Sequence, residues 1–202
     1  MHLDDEGIEK TLHSFIARKV ARRIKPDTLI IVDPSDIQKP YATQMDFLSK
    51  VWDGSKGAVG DNLGYYGCMA VACENGGRKP MPLHLRFWSP DAPGFTSEND
   101  KVLGMIRDVA RECERRGIYV YDRGGDGNWL FDFFIAEGLD FIVRLVGDRY
   151  LLHWNGKRLA EDLAGDCEMK YRQRVTFKSH GKELEVPIEY GSLPVRLPDH
   201  PG

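Results

Sequence analysis

The chain has 202 residues, 42% of them hydrophobic, and a formal net charge of −3 at pH 7. This length suits one medium domain, or one domain and part of a second, with a proper hydrophobic core. The charge excludes a uniformly basic surface, and no apolar run approaches a signal segment or the roughly 20 residues of a membrane span. We therefore expect no membrane partner and a cytoplasmic location.

Charge is unevenly distributed along the chain. Residues 8–25 contain six Lys or Arg residues and one acidic residue, and residues 168–182 contain five Lys or Arg residues and one acidic residue. Residues 27–61 instead contain six aspartates and three lysines. Basic flanks around an acidic centre suit a site that holds cations while its rim holds phosphates. Each flank alone is more typical of a solvated surface.

The four cysteines, Cys68, Cys73, Cys113 and Cys167, do not have the CxxC spacing of a metal site. Because the chain has no signal segment, we expect them to be reduced and to lie mostly in the core. A zinc site formed by Cys68, Cys73 and His84 is the alternative interpretation.

The first predicted element is a helix over residues 7–24, which Pro26 ends. Acids at its start and bases at its end complement the helix dipole, so helix stability alone explains them. The apolar residues at helical spacing are Ile8, Leu12, Phe15, Ile16, Val20 and Ile24. We assign residues 1–26 to an N-terminal helical segment.

A β-branched apolar run over residues 28–33 predicts a buried strand that ends at Asp33. We expect a turn at residues 34–36, a short helix over 46–52 and a glycine-containing loop over 53–57. Residues 63–73 and 81–88 predict a hairpin that extends the sheet, with its turn at residues 74–79.

Residues 97–116 predict the longest helix of the central region. Ser97 and Asp100 form a capping-box-like start, and Gly117 is the expected stop. This helix leads into a strand that ends at Asp122, as in a right-handed crossover. A helix over residues 128–137, closed by Gly138, and a buried strand over 139–145 follow.

The remaining chain is predicted to be antiparallel β structure. The expected hairpins join residues 149–154 to 157–159 and residues 172–178 to 183–190. We assign residues 27–146 to an α/β core and residues 147–202 to an incomplete β-rich insertion. The order of elements in the core is that of a ribonuclease-H-like mixed sheet with flanking helices, in which the strands ending at Asp33 and Asp122 lie side by side.

Two aspartates at neighbouring strand ends predict a cation site. At about 4 Å and an effective dielectric of about 20 they would repel by roughly 4 kcal/mol, which a divalent ion relieves. Hard oxygen ligands select Mg²⁺ or Mn²⁺. We therefore take Asp33 and Asp122 as candidate metal ligands and catalytic residues. The alternative is that Asp33 caps a turn through Ser35 and that Asp122 pairs with Arg123.

Four short segments carry a further signal: residues 32–42 (VDPSDIQKPYA), 53–55 (DGS), 95–99 (FTSEN) and 121–124 (YDRG). They resemble the catalytic-domain motifs of bacterial DDE transposases of the cut-and-paste insertion-sequence type. The resemblance covers residues 29–145. It implies a ribonuclease-H-like fold, Asp33 and Asp122 as the first two metal ligands, and a β insertion after the fifth strand. It also implies endonuclease cleavage and strand transfer on DNA in the complete enzyme, which could be a homodimer.

The family's third carboxylate is a glutamate on a helix after the insertion, and this chain ends before such a helix. Glu161, Glu168 and Glu189 do not match it. We therefore expect an N-terminal piece, from a truncated gene or an excised fragment, with weak metal binding and no strand transfer of its own.

Candidate nucleic-acid contacts are Arg123, Lys39, Arg172 and Arg174. Tyr121 and Trp129 are expected to fill the core rather than to stack on bases. Two other functions stay open: a different ribonuclease-H-like nuclease, or a non-catalytic remnant that binds DNA or an intact transposase. A DNA substrate implies association with the nucleoid.

Overall fold

A computed structural model describes residues 5–42, 44–53, 57–74, 79–154, 156–179 and 181–200. It divides into two compact units, residues 1–144 and residues 145–202. No described helix is long and apolar enough to cross a membrane. The centres of two predicted connections, residues 54–56 and 75–78, and the side chain of Ile8 lie outside the described residues.

Unit 1 contains three helices and six strands among its described residues. The helices are α1 (Asp5–Ala21), α2 (Glu98–Glu112) and α3 (Asn128–Glu137). The strands are β1 (Leu29–Gln38), β2 (Ser49–Asp53), β3 (Ala58–Cys73), β4 (Met81–Trp88), β5 (Ile118–Tyr121) and β6 (Asp140–Val143).

The strands of unit 1 form one mixed sheet in the order β2-β3-β1-β5-β6, with β4 also paired to β3. β1 is antiparallel to β3 and parallel to β5, and β5 is parallel to β6. The antiparallel hairpin on one side of β1 and the parallel strand on its other side are the ribonuclease-H-like arrangement that the order of elements predicts. The predicted fold class is therefore confirmed.

The buried face of the sheet and the three helices share one core. Ile30 and Val32 of β1 and Tyr119 and Tyr121 of β5 lie in this core. The helices contribute Val102, Met105, Ile106, Val109, Leu130 and Phe134. We call this side of the sheet the covered face.

The opposite side of the sheet is far more accessible. Ile31, Met69, Leu85 and Ile142 are between 39% and 52% exposed. They occupy matching rows, because Asp33 pairs with Met69, Met69 with Leu85, and Val120 with both Ile31 and Ile142. We call the side formed by these residues the open face.

α1 packs against β4 and α2, but not through the whole predicted stripe. Ala17 and Ala21 are buried, whereas Leu12 and Phe15 are exposed, so the prediction was wrong at those two positions. Small alanines allow the helix backbone to approach β4 closely, which turns the larger side chains outward. Arg116 closes the helix by donating hydrogen bonds to the carbonyl oxygens of Ala21 (3.1 Å) and Ile24 (2.8 Å).

β1 is longer than the sequence predicts. The turn expected at residues 34–36 is a continuation of the strand, which pairs with β3 as far as Gln38. Pro34 is tolerated because β1 pairs with β5 only up to Val32, so β5 requires no N–H group from it.

The short helix expected over residues 46–52 was wrong, because the first two residues of this segment form a turn and its last four belong to β2. Phe47 has a φ of +54°, which turns the chain into the strand. Val51 is buried and Trp52 is exposed, the alternation of a half-buried strand. Because β2 was not predicted, the strand that ends before Asp122, predicted as the fourth along the chain, is the fifth.

α2 begins as predicted and ends early. The hydroxyl of Ser97 accepts a hydrogen bond from the Asp100 amide at 3.1 Å. The helix stops at Glu112 instead of Arg116, because Glu114 and Arg115 have φ values of +54° and +59°. This left-handed turn lets Arg116 reach the end of α1. α3 matches its predicted bounds and closes at Gly138 in the left-handed conformation.

Unit 2 contains two antiparallel hairpins within its described residues, as predicted, and a short helix that was not. The strands are β7 (Tyr150–His153), β8 (Gly156–Leu159), β9 (Tyr171–Ser179) and β10 (Lys182–Tyr190). Helix α4 (Ala160–Gly165) follows β8 directly. The predicted connecting residues Asn155 and His180 lie outside the described part of the chain.

Candidate functional site

The parallel register of β1 and β5 places the two predicted aspartates next to each other along neighbouring strands. The last pair in this ladder is Val32 with Tyr121, and Asp33 and Asp122 are the next residues of the two strands. Val32 points into the core, so Asp33, the next residue of β1, belongs to the open face. Asp122 follows the last residue of β5 and lines a cavity with core residues such as Val102 and Tyr121. Both aspartates are exposed, and the prediction that their strands are neighbours is confirmed.

The alternative role for Asp33 was wrong. It required a turn at residues 34–36, but Asp33 lies within a continuous strand and faces Met69 of β3. A carboxylate in the middle of a strand cannot cap a turn through Ser35. Asp33 therefore has no local structural task of that kind.

Asp122 has a local partner, which is not Arg123. Its Oδ1 accepts a hydrogen bond from the Gly124 amide at 2.9 Å and caps the short 3₁₀ turn Arg123–Gly125. A Cβ atom at Gly125 would lie 2.5 Å from the Tyr121 ring, so only glycine permits this tight turn. The turn fixes the direction in which the Asp122 carboxylate leaves β5.

Besides burial, the negative charges of these carboxylates raise the pKa of two buried neighbours, Cys68 and Tyr121. Burial raises the pKa of the Cys68 thiol to about 12, and the charges of Asp33 and Glu98 raise it further. Burial also raises the pKa of the Tyr121 phenol, as do Cys68, Asp122, Glu98 and Asp33. The three acids therefore act on one small region of the core.

Glu98 is the residue of this group that sequence reasoning missed. It lies in the first turn of α2 and lines a cavity of about 360 Å³ together with Asp122. The cavity is also lined by Pro34, Asn99, Val102, Tyr121, Gly124 and Trp129. The available signal was the Ser97 cap, because a capped helix start fixes the position of the residue that follows it.

The donors of this region fit a hard cation only in part. Carboxylate oxygens suit Mg²⁺ or Mn²⁺, and Asp33 and Asp122 supply them from adjacent strands. Across the described residues, no three His, Cys, Asp or Glu side chains are grouped closely enough to hold a metal ion. The zinc alternative at Cys68, Cys73 and His84 was therefore wrong.

All four cysteines are free thiols. Cys68 and Cys113 are buried, as expected for core residues, and Cys73 and Cys167 are half-buried. Burial raises the pKa of Cys113 to about 11, so neither buried thiol is a nucleophile at neutral pH.

The predicted cationic contacts differ in their surroundings. Arg123 is exposed in the turn after β5, and Lys39 follows β1 at its far end. Arg172 lies 2.9 Å from Glu189, and Arg174 lies 3.0 Å from Glu185. Carboxylate partners thus offset the charges of both β9 arginines.

Tyr121 and Trp129 belong to the core, as expected. Tyr121 is buried, and its ring meets that of Trp129 edge-on with centroids 6.5 Å apart. Trp129 is half-buried and packs against the same core cluster. Neither ring is presented as a platform for base stacking.

No protein-family model and no curated protein matches the chain. Among solved structures it is similar to the Mos1 mariner paired-end complex with Mn (TM-score 0.35, 12% identity), over 72% of this chain and 45% of that one. It is also similar to the Drosophila P element transposase strand transfer complex (TM-score 0.30, 12% identity), over 71% of this chain and 35% of that one. The chain thus spans less than half the length of these solved chains.

Proposed function

We propose that this chain is the core of a DDE-type transposase of the bacterial insertion-sequence type, with Asp33 and Asp122 as its first two catalytic carboxylates. The observation that supports this most is the β1–β5 register, which ends with Val32 beside Tyr121, so that the two acids are the next residues of neighbouring chain segments. The ribonuclease-H-like sheet and the four resembling motifs agree with it.

The proposed chemistry is phosphodiester hydrolysis followed by strand transfer. Bound at the two carboxylates, Mg²⁺ or Mn²⁺ would supply charge stabilisation for in-line attack on phosphorus. Asp33 enters from the middle of β1, and Asp122 is oriented by its bond to the Gly124 amide. In the complete enzyme, water would attack a phosphodiester of one DNA strand, and the P–O3′ bond would break to leave a 3′-hydroxyl and a 5′-phosphate. That hydroxyl would then attack a second phosphodiester and displace its 3′-oxygen as a new 3′-hydroxyl.

Glu98 adds negative charge to the same region from α2. Glu98 lines the same cavity as Asp122, and beyond the effect of burial its charge, with those of Asp122 and Asp33, raises the pKa of Tyr121; both observations support a role near the proposed site. We propose that Glu98 strengthens cation binding through this field. No third His, Cys, Asp or Glu joins Asp33 and Asp122 closely enough to complete a metal site among the described residues, so this chain should bind metal weakly and transfer no strands.

DNA is the proposed partner, and Arg123 is the favoured phosphate contact because it follows Asp122 directly in an exposed turn. Lys39 is a second candidate. Arg172 and Arg174 are weaker ones, since each is paired with a glutamate. Action on DNA would place the protein at the nucleoid, and processing two DNA ends would suit a homodimer of the complete enzyme.

A fluorescence-anisotropy titration with duplex DNA, repeated over a range of salt and with or without Mn²⁺, tests this function. The proposal predicts salt-dependent binding that Mn²⁺ strengthens, and loss of the Mn²⁺ effect in the Asp122→Asn variant. Arg123→Gln should weaken binding uniformly across DNA sequences. A DNA affinity that is the same with and without Mn²⁺ would instead favour a non-catalytic DNA-binding remnant.

A second arm separates the transposase from another nuclease of the same fold. The chain, purified free of contaminating nucleases, is incubated with Mg²⁺ and either an RNA/DNA hybrid or duplex DNA. The proposal predicts no cleavage of either substrate. Hybrid cleavage that is lost on Asp122→Ala would identify an RNA-directed nuclease, and duplex cleavage lost on the same change would contradict the predicted inactivity.

A further inference from the structure

The β9–β10 hairpin of unit 2 has two chemically distinct faces. Its register pairs Tyr171 with Tyr190, Gln173 with Ile188, Val175 with Val186, and Phe177 with Leu184. These eight residues lie on one side of the ribbon, because side chains alternate along each strand. The pair Ser179 and Lys182 lies on the same side at the turn end. Seven of these ten residues are apolar or aromatic, and we call this side the apolar hairpin face.

The apolar hairpin face is open to solvent. Its seven apolar and aromatic side chains belong to residues that are between 37% and 52% exposed. Among the described residues, no helix and no other strand packs extensively on this hairpin. Stacking of the Tyr171 and Tyr190 rings, with centroids 5.2 Å apart, orders one end of the face.

The opposite side of the hairpin is polar. It carries the ion pairs Arg172–Glu189 and Arg174–Glu185, with Thr176 facing Glu185. A two-stranded ribbon is marginally stable alone in water and requires packing on a hydrophobic face. The polar side is suited to water, so the apolar hairpin face is the side that needs a partner.

We propose that this partner is the same hairpin of a second copy of the chain. Val175 and Val186 are the central pair of the two nine-residue strands, so a twofold axis through this pair would superpose one apolar face on the other. Such stacking forms a four-stranded, two-layer β structure with an apolar centre. The polar members of each face are Gln173 and, at the turn end of the hairpin, the pair Ser179 and Lys182, where the Lys182 ammonium can stay in water at the edge of the contact.

The area of the face agrees with a weak dimer. Seven partly exposed apolar side chains offer about 600 Å² per copy, and about 1,200 Å² in total is the lower limit of a specific interface. A nucleic acid is a poorer match, because the arginines of the hairpin lie on the other side and are already paired. This self-association needs neither the candidate metal site nor DNA, so it is independent of the proposed function.

Sedimentation equilibrium of the metal-free and DNA-free chain tests this proposal. We expect a monomer–dimer equilibrium with a dissociation constant on the order of 10 µM. Val175→Lys should weaken it at least tenfold. Thr176→Lys introduces the same side chain one residue away on the polar side and should leave it unchanged. A monomer at all accessible concentrations, or equal effects of the two variants, would overturn the proposal.

Cysteine cross-linking covers the case in which lysine at position 175 unfolds the hairpin. Val175→Cys keeps a small apolar side chain near the twofold axis, and Thr176→Cys is its matched control. Mild oxidation should give a covalent dimer of the first variant well above the level of the parent chain, whereas the second variant should stay at the parent's level, which its four native free cysteines set. Equal cross-linking of both would contradict the proposed face, as would a Val175→Lys variant that loses DNA binding while the parent chain stays monomeric.

Discussion

The covered and open faces of the central sheet alternate along the same strands but differ in what they contain. On β1, Ile30 and Val32 are buried beneath the helices, whereas Ile31 and Asp33 are exposed. Consecutive residues of β1 thus serve different purposes, because one set stabilises the core and the other set, one position along, includes the candidate site residue Asp33. A slip of one residue in the register would exchange the two sets, so the β1–β3 and β1–β5 ladders fix both the core and the site.

The largest expected difference between the faces is in packing. Ile30→Ala should lower the free energy of unfolding by about 3 kcal/mol, because the side chain is fully buried and leaves a cavity. Ile31→Ala changes the neighbouring residue on the open face and should cost about 1 kcal/mol or less. Urea denaturation of both variants measures the difference. Equal costs would mean that the open face is covered in solution.

A second difference between the faces is that the covered face buries a titratable group, His84, beneath α1. His84 is 7% exposed and its ring lies 4.0 Å from that of His13. Burial, assisted by His13 and Arg86, lowers the pKa of His84 to about 4. Because the folded pKa lies below the ordinary value of about 6.5, protonation favours the unfolded chain. The free energy of unfolding should therefore be highest above a pH of about 6.5 and should fall as the pH drops towards 4. The loss should be roughly 2 kcal/mol at pH 5.

The His84→Leu variant isolates this contribution. Its stability should depend less on pH between about 6.5 and 4 than that of the parent chain. Urea denaturation at a series of pH values gives the comparison. Parallel curves for the two proteins would show that His84 is accessible to protons in the folded chain.

A third effect concerns the attachment of α1 to the covered face. Arg116→Met removes the hydrogen bonds to Ala21 and Ile24 and should cost about 1.5 kcal/mol, since buried carbonyls lose a charged donor. Arg115→Met, at the preceding residue, removes an exposed pair with Glu137 and should cost about 0.5 kcal/mol or less. Thermal unfolding of both variants provides the test, and the reverse order of effects would contradict this account of α1.

The smallest effect is expected at the open face itself. Without metal, Asp33→Asn should stabilise the chain by about 0.5 kcal/mol, because it relieves repulsion from Asp122 on the adjacent strand. Asp36→Asn is the matched control, three residues along β1 on the other side of the strand, and should not stabilise. Chelator-treated protein in low salt is the appropriate sample. A loss of stability on Asp33→Asn would indicate a structural partner for this carboxylate.

The sequence predicted the parts of the fold in which local signals agree. The β-branched run before Asp33, the Ser97 cap and Gly138 each matched an element in the structure. The prediction failed where tertiary pairing overrides local preference. Residues from Ser49 onward form a strand instead of the predicted helix because β3 extends far enough to pair with them. The residue types of this segment give no local signal of that pairing.

The two aspartates of the candidate site could be predicted from the sequence, but the residues around them could not. The acidic ends of two apolar runs were visible in the sequence, and the element order placed their strands side by side. Glu98 was not recognised, because its role depends on where the start of α2 lies relative to β5. The glutamate partners of Arg172 and Arg174 were equally hidden, since they follow from the register of β9 and β10.

The most direct test of the central claim is a Mn²⁺ titration of the chain followed by electron paramagnetic resonance. The account predicts weak, millimolar binding by the parent chain that is lost in both Asp33→Asn and Asp122→Asn and retained in Asp36→Asn. Binding that is unchanged in both of the first two variants would contradict a cation site shared by β1 and β5.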